Sequence, residues 1–437
     1  MKNIFKNKWV LGLGAVVLGL TVASCEDEPD KFEATGGVPV IKYIRPATAA
    51  AADSLIDAAY LDNLICIVGD NLRSVHEVYF NDQKAILNTS YITDNTLLVA
   101  VPGAIPSEVT NKIYLYNKKN QVVDYDFKVM VPAPAVRSIS CEWAPVGTEA
   151  TIYGDYLIDD PNVPIKVTFA GNVELPQENI VSVTKTALKF IVPDNWTEGY
   201  MNVTSIYGTS RSAFKFHDTT NILFDWDGTR GGHASGYGWR NGVIHSPGQD
   251  DGIEAIDGNY LYFGGTMGGD PGSTWDEDSF SFNYWPDDSG ENGPLNQRPE
   301  FAKLLTDYGV AGLQIKFECY VPASNPWRSS ALQMIFSSSD VVSSSAMSNA
   351  YFSDTSVPRG LWNPWQSTGS YDTGGEWVTV SMPLNTFTFT HEGQSCASAL
   401  VPNGMTGLTF FVWNGGVTGT DCDPVILIDN IRVVPVE

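Results

Sequence analysis

The chain has 437 residues, with 50 acidic side chains against 26 Lys and Arg, for a formal net charge of -24. A surface so negative opposes nucleic acid and anionic lipid headgroups as ligands and favours a neutral or weakly charged one. The length allows two or three domains.

Lys2, Lys6 and Lys8 form a cationic start, and Trp9 to Val22 is an almost unbroken apolar run. The run falls short of the about 20 residues a spanning helix needs. Basic residues, a short apolar stretch and then small residues are the plan of a secretory signal peptide, here residues 1–24. Its end, Val22-Ala23-Ser24-Cys25, resembles the lipobox of bacterial lipoproteins, which implies acylation of Cys25. Glu26-Asp27-Glu28-Pro29-Asp30 follows and resembles the acidic tag that sends such lipoproteins to the outer face of the outer membrane. Residues 25–37 have little to bury and read as a flexible tether.

Two segments then repeat one pattern, at 38–131 and 132–217. The first runs through Pro39-Val40-Ile41-Lys42-Tyr43-Ile44, Leu64 to Val68, Gly69-Asp70-Asn71-Leu72, Val75 to Asn81 and Thr96 to Pro102. The second runs through Pro134 to Ile139, Ala150 to Tyr153, Gly154-Asp155-Tyr156-Leu157, Val167 to Gly171 and Leu188 to Pro193. Short β-branched and aromatic runs between Gly, Asn, Asp and Pro are strand signals, and several in under 100 residues predict a small sandwich. Gly, two residues, Leu, a strand ending in Phe, then a strand closed by Val-Pro resembles the TIG/IPT immunoglobulin-like family, whose modules serve as spacers. The glycine is expected where the backbone needs positive φ. His76 lies on a strand pattern and reads as a surface residue.

Residues 218–437 differ in character and hold nine of the twelve tryptophans. Strand-like runs include Tyr260 to Phe263, Leu313 to Tyr320, Ala331 to Phe336, Glu376 to Met382, Leu408 to Trp413 and Pro424 to Val434. Phe301, Leu304, Leu305 and Tyr308 are spaced for one apolar face of a short helix over Glu300 to Tyr308. The predicted fold is all-β: tandem immunoglobulin-like sandwiches followed by a larger jelly-roll-like β-sandwich. Five cysteines remain after Cys25, an odd number, and none has CxxC spacing.

Ile222 to Gly228, Gly375 to Val380 and Ile426 to Val433 resemble landmarks of carbohydrate-binding jelly rolls. With the lipoprotein signal and the TIG-like tandem, the chain resembles the surface glycan-binding protein B family. That resemblance implies non-catalytic capture of a β-glucan, either mixed-linkage β-glucan or xyloglucan. It also implies an outer-membrane lipid anchor and, as partners, a transporter complex and surface glycanases. No catalytic residue and no cofactor are assigned. Asp225, Asp227 and Asp429 flank the first and last strands, where related sandwiches hold a structural calcium on oxygen ligands; turn and surface aspartates are the other reading. A glycoside hydrolase using a carboxylate pair and an adhesin are the alternatives.

Sugar rings stack their C–H faces on aromatic rings, and their hydroxyls need planar polar partners. Aromatics in polar, Gly/Pro-rich surroundings are therefore the candidate contacts: Trp327, Trp362, Trp365, Trp285 and Tyr284, with Arg328 and Asn363 as polar partners. Trp239, Tyr237, Arg240 and Trp275 are further candidates. Trp226, Trp377 and Trp413 lie within strand patterns and are expected in the core.

Overall fold

The computed structural model describes residues 36–51, 53–227, 243–270, 278–284, 286, 293–337 and 355–437. The chain divides into two compact units, one ending at Pro132 and one running from Ala133 to Glu437. Strands dominate both.

The first unit contains β1 (Val40–Pro46), β2 (Ala58–Tyr60), β3 (Leu64–Asp70), β4 (Val75–Phe80), β5 (Gln83–Lys84), β6 (Thr96–Ala100), β7 (Lys112–Asn117), β8 (Val122–Asp126) and β9 (Lys128–Met130). One sheet has the order β1-β3-β6 and the other β5-β4-β7-β8, while β2 pairs in parallel with β9. The two-residue period of a strand turns Ile65, Ile67, Leu97 and Val99 of one sheet inward, and Val78, Phe80, Ile113 and Leu115 of the other. All eight are at most 1% exposed.

The second unit opens with β10 (Ala135–Ile139), β11 (Glu149–Asp155), β12 (Lys166–Phe169), β13 (Val173–Glu174), β14 (Ile180–Val183), β15 (Ala187–Ile191), β16 (Gly199–Ser205) and β17 (Gly208–Phe216). These form sheets β10-β11-β15-β14 and β13-β12-β16-β17, the same architecture again. The repeated glycine has a sterically concrete role. A Cβ on Gly69 would meet the Val40 carbonyl oxygen at 1.8 Å, and one on Gly154 the Ala135 carbonyl oxygen at 1.8 Å. Close approach of the paired strand demands glycine there. Positive φ falls two residues later, at Asn71 (57°) and Tyr156 (54°). Leu72 and Leu157 then plug the two cores.

The rest of this unit comprises β18 (Ile222–Phe224), β19 (Ile244–His245), β20 (Tyr260–Gly264), β21 (Ser281–Tyr284), α1 (Pro299–Tyr308), β22 (Leu313–Tyr320), β23 (Leu332–Ser337), β24 (Gly360–Trp362), β25 (Val378–Pro383), β26 (Gly407–Val412) and β27 (Val425–Pro435). One sheet has the order β19-β20-β27-β22-β25, with β18 also on β27; the facing sheet has the order β21-β26-β23-β24. Phe317, Ile315, Ile426 and Ile428 from the first meet Phe282, Phe410, Met334 and Leu332 from the second in one apolar core. Helix α1 starts on Pro299, whose missing N–H costs nothing at that position, and buries Phe301.

Residues 133–217 share a core with this sandwich. Val136, Ile152, Phe169 and Phe216 belong to the same buried cluster as Ile222, Tyr260, Trp377 and Leu427. A buried ion network ties the two parts together. Glu142, from the loop after β10, accepts from Lys316 Nζ at 2.6 Å and from Arg432 Nη2 at 2.7 Å. Arg432 also grips Glu318 through Nη1 at 2.8 Å and Nη2 at 3.0 Å. Two acids and two bases cancel in charge, and all four side chains are at most 7% exposed. Burial alone works against the Arg432 charge, but Glu318 and Glu142 overcome it and raise its pKa. Thr379 Oγ1 donates to Glu318 and receives the Glu142 backbone N–H, so the network is hydrogen-bonded as well as charged.

Candidate functional site

The candidate residues of the 325–328 and 361–366 loops meet at one end of the β21-β26-β23-β24 sheet. Leu332 on β23 pairs with Trp362 on β24 and with Val412 on β26. The loop before β23 is held by reciprocal backbone hydrogen bonds of 2.9 Å between Trp327 and Tyr371. That bridge brings Arg328, Ser370 and Tyr371 together, and Arg328 Nε donates to Ser370 Oγ at 3.4 Å.

Three of the predicted platforms turn inward, so they are corrected here. The Trp327 ring is fully buried and its Nε1 donates to the Ser329 carbonyl. The Trp365 ring is 4% exposed, with Nε1 donating to the Ser330 carbonyl at 2.7 Å. Tyr284 is 1% exposed and donates its hydroxyl to the Gly293 carbonyl at 2.7 Å. In each case a large ring gains more from burial than from solvent, and a backbone carbonyl satisfies its one polar donor. None of these rings has a face free for a sugar. Trp285, Trp239, Tyr237, Arg240 and Trp275 lie outside the described residues.

Trp362 behaves differently. It is half-buried, resting edge to face on Trp327 at 5.5 Å, on Phe317 at 5.7 Å and on Tyr371 at 5.6 Å between centroids. Packing on three aromatic neighbours fixes the indole while leaving part of it in solvent. Tyr371 is also half-buried, and burial raises its hydroxyl pKa, so it stays a neutral donor and acceptor. Around the pair lie exposed Arg328, Gln366 and Asp372 and half-buried Asn363, whose Nδ2 donates to Gln366 Oε1 at 3.1 Å. A rigid, partly exposed aromatic pair rimmed by planar polar groups can stack a sugar ring and bond its hydroxyls.

Trp413, expected in the core, is half-buried at the same sheet end. It stacks on His391 with centroids 5.7 Å apart and an interplanar angle of 6°. Burial, reinforced by the Arg359 charge, lowers the His391 pKa and keeps the imidazole neutral at physiological pH. Gln333 braces this pair. Its Nε2 donates to the Trp413 carbonyl at 2.7 Å and the His391 carbonyl at 3.1 Å, and its Oε1 accepts from Arg359 Nη1 at 2.9 Å. A polar Gln inside the run Ala331 to Phe336 was the available sequence signal for this second aromatic pair. Alternation supplied another, since Trp413 follows inward-facing Val412.

Asp225 and Asp429 are fully buried, and Asp227 Oδ1 accepts the Asn259 backbone N–H at 2.7 Å. Burial raises the Asp429 pKa well above the usual carboxylate range, and Glu318, Asp257 and Asp227 push it the same way. Among the described residues, no group of three or more His, Cys, Asp or Glu side chains is arranged to hold a metal ion.

Residues 216–435 match the model of the surface glycan-binding protein B xyloglucan-binding domain, which spans half of the chain. The chain belongs to the surface glycan-binding protein B family. The crystal structure of surface glycan-binding protein PbSGBP-B from Prevotella bryantii is similar over 93% of this chain and 100% of that one, with 34% identity and a TM-score of 0.78. An IPT/TIG domain-containing protein from Bacteroides ovatus is 30% identical over 164 residues, 35% of this chain. That match spans about a third (32%) of the relative's own length. Membership makes this a glycan-binding protein of the cell surface, and the repeats before residue 216 agree with the IPT/TIG likeness.

Proposed function

We propose that the protein captures a neutral β-glucan, xyloglucan or mixed-linkage β-glucan, on the cell surface without cleaving it. The observation that carries this reading is the coincidence of the family's xyloglucan-binding domain, residues 216–435, with the sandwich that presents Trp362 and Tyr371. Trp362 supplies the stacking face, and Tyr371, Arg328, Asn363 and Gln366 supply hydroxyl partners. The net charge of -24 suits a neutral polymer over an anionic one.

Acylation at Cys25, display on the outer membrane and service to a transporter complex and surface glycanases complete the proposal. They are supported by Val22-Ala23-Ser24-Cys25 and by the acidic run after it, which lie outside the described residues. Native gels cast with xyloglucan or mixed-linkage β-glucan test the reading. Retardation without shortening of the polymer is expected; release of short oligosaccharides would make the protein an enzyme.

A further inference from the structure

The outer face of the β5-β4-β7-β8 sheet, in the first unit, carries a row of tyrosines that the glycan site of the second unit does not use. Tyr79 on β4 pairs directly with Tyr114 on β7. Lys84 pairs with Tyr79 on one side and Asp124 with Tyr114 on the other, so this row crosses all four strands. In the adjacent row Glu77 pairs with Tyr116, and Tyr116 with Val122. Tyr116 meets Tyr79 edge to face at 5.5 Å. All three tyrosines are half-buried, so each ring is fixed by its neighbours and partly open to solvent.

The fold does not demand them. The second module has the same sheet in the same register, with Thr168 paired to Asn202 and Lys166 to Thr204. Aligned on those pairs, Thr168, Asn202 and Thr204 stand where Tyr79, Tyr114 and Tyr116 stand in the first. Inward positions are conserved in kind: Val78 and Phe80 in one, Val167 and Phe169 in the other, all at most 1% exposed. The two faces thus differ in what they show to solvent and not in what they bury.

The charges on this face are paired and nearly balanced, two lysines against three carboxylates. Lys84 pairs with Glu77 at 2.6 Å, and Lys112 pairs with Asp124 and, at 3.3 Å, with Asp126. Tyr79 Oη lies 3.3 Å from Glu77 Oε2. In a chain of net charge -24, a flat aromatic face with paired charges suits a neutral, polyhydroxylated chain, for which rings provide stacking and the paired charges provide hydrogen-bond partners.

We infer that Tyr79, Tyr114 and Tyr116 form a second, weaker glycan-binding surface, which holds a distant stretch of the same neutral polysaccharide. This rests on the β-glucan reading above. A second site on one polymer raises the apparent affinity for long chains through effective concentration, with little effect on short ones.

The test compares the full chain with its Tyr79→Thr/Tyr114→Asn/Tyr116→Thr variant, which installs the second module's own residues. Probes are xyloglucan and mixed-linkage β-glucan polymers and a hexasaccharide of each backbone, and affinities are compared on the glucan that the parent binds. The variant is expected to lose about fivefold or more in polymer affinity, to keep its hexasaccharide affinity and to melt where the parent melts. Tyr79→Phe/Tyr114→Phe/Tyr116→Phe keeps the rings and should retain most of the polymer affinity, which also covers the case in which the first variant folds poorly. Unchanged polymer affinity in the first variant, or equal loss in the phenylalanine variant, overturns the inference while leaving the second-unit site standing. A parent chain that ignores the xyloglucan and mixed-linkage probes alike overturns the β-glucan reading, and this surface with it.

Discussion

The two immunoglobulin-like modules share architecture, register and even the glycine that admits a neighbouring carbonyl, yet they serve the molecule differently. The first belongs to a unit of its own ending at Pro132 and shows tyrosines on its outer sheet. The second shows Thr168, Asn202 and Thr204 there and lends Glu142 to a buried ion network with Lys316, Glu318 and Arg432. The lesson is that a repeated fold fixes the inward residues and leaves outward ones and loops free to specialise. One module has specialised in what it shows, the other in what it grips. The second is therefore built into the glycan-binding sandwich through a shared core and a buried ion network.

That contrast is easiest to break at Glu142. Glu142→Ala leaves Arg432 and Lys316 with an incomplete buried partner set, and breaking a buried pair costs about 3–5 kcal/mol. Thermal or denaturant melts of the second unit should show it. A matching change in the first unit, Glu77→Ala beside exposed Lys84, should leave the melt nearly unchanged, because solvent screens that pair. A fragment starting at Thr219 loses Glu142 and should be much less stable than one starting at Ala133. Equal melts for the two fragments would refute the structural role of the second module.

Trp327→Ala should empty a fully buried site and destabilise by about 3–5 kcal/mol, read in the same melts. A loss of sugar affinity with an unchanged melting temperature would contradict its burial.

Asp429 gives a smaller, pH-dependent effect. Its folded pKa lies above its unfolded value, so the folded state binds the proton more tightly and its charged form burdens the fold at neutral pH. Stability from this group grows as pH falls through the folded pKa and is complete below the unfolded one. Asp429→Asn should therefore raise the melting temperature at pH 7–8 by a few degrees, and the gap should close toward pH 4. A variant less stable than the parent at pH 7, together with calcium-dependent melting of the parent, would point to a cation among Asp225, Asp227 and Asp429 instead.

Much of this organisation was legible in the sequence because period and punctuation report local structure. The paired Gly-x-x-Leu motifs and the Glu300 to Tyr308 helix have direct counterparts in the described structure. Two of the misread positions share one cause. Pro326 and the serines after Trp327 place that residue in a loop, but a loop residue can still bury its ring, as Trp327 and Trp365 do. Tyr284 could have been placed, since alternation from Ser281 puts Phe282 and Tyr284 on one face, and Phe282 is plainly core. Lys316-Phe317-Glu318 likewise signals charge on a strand face, but its partner Glu142 lies 174 residues earlier, where no local pattern links the two.

The most direct test of the glycan site is calorimetric titration of Trp362→Ala with a β-glucan hexasaccharide, beside the melt of the same variant. Stacking on one good platform is worth on the order of 1–2 kcal/mol from buried apolar area, and about 1.4 kcal/mol is tenfold in affinity. The expected result is a loss of about tenfold or more in affinity with the sandwich still folded at the assay temperature. Unchanged affinity in a folded variant would contradict the placement of the glycan on Trp362.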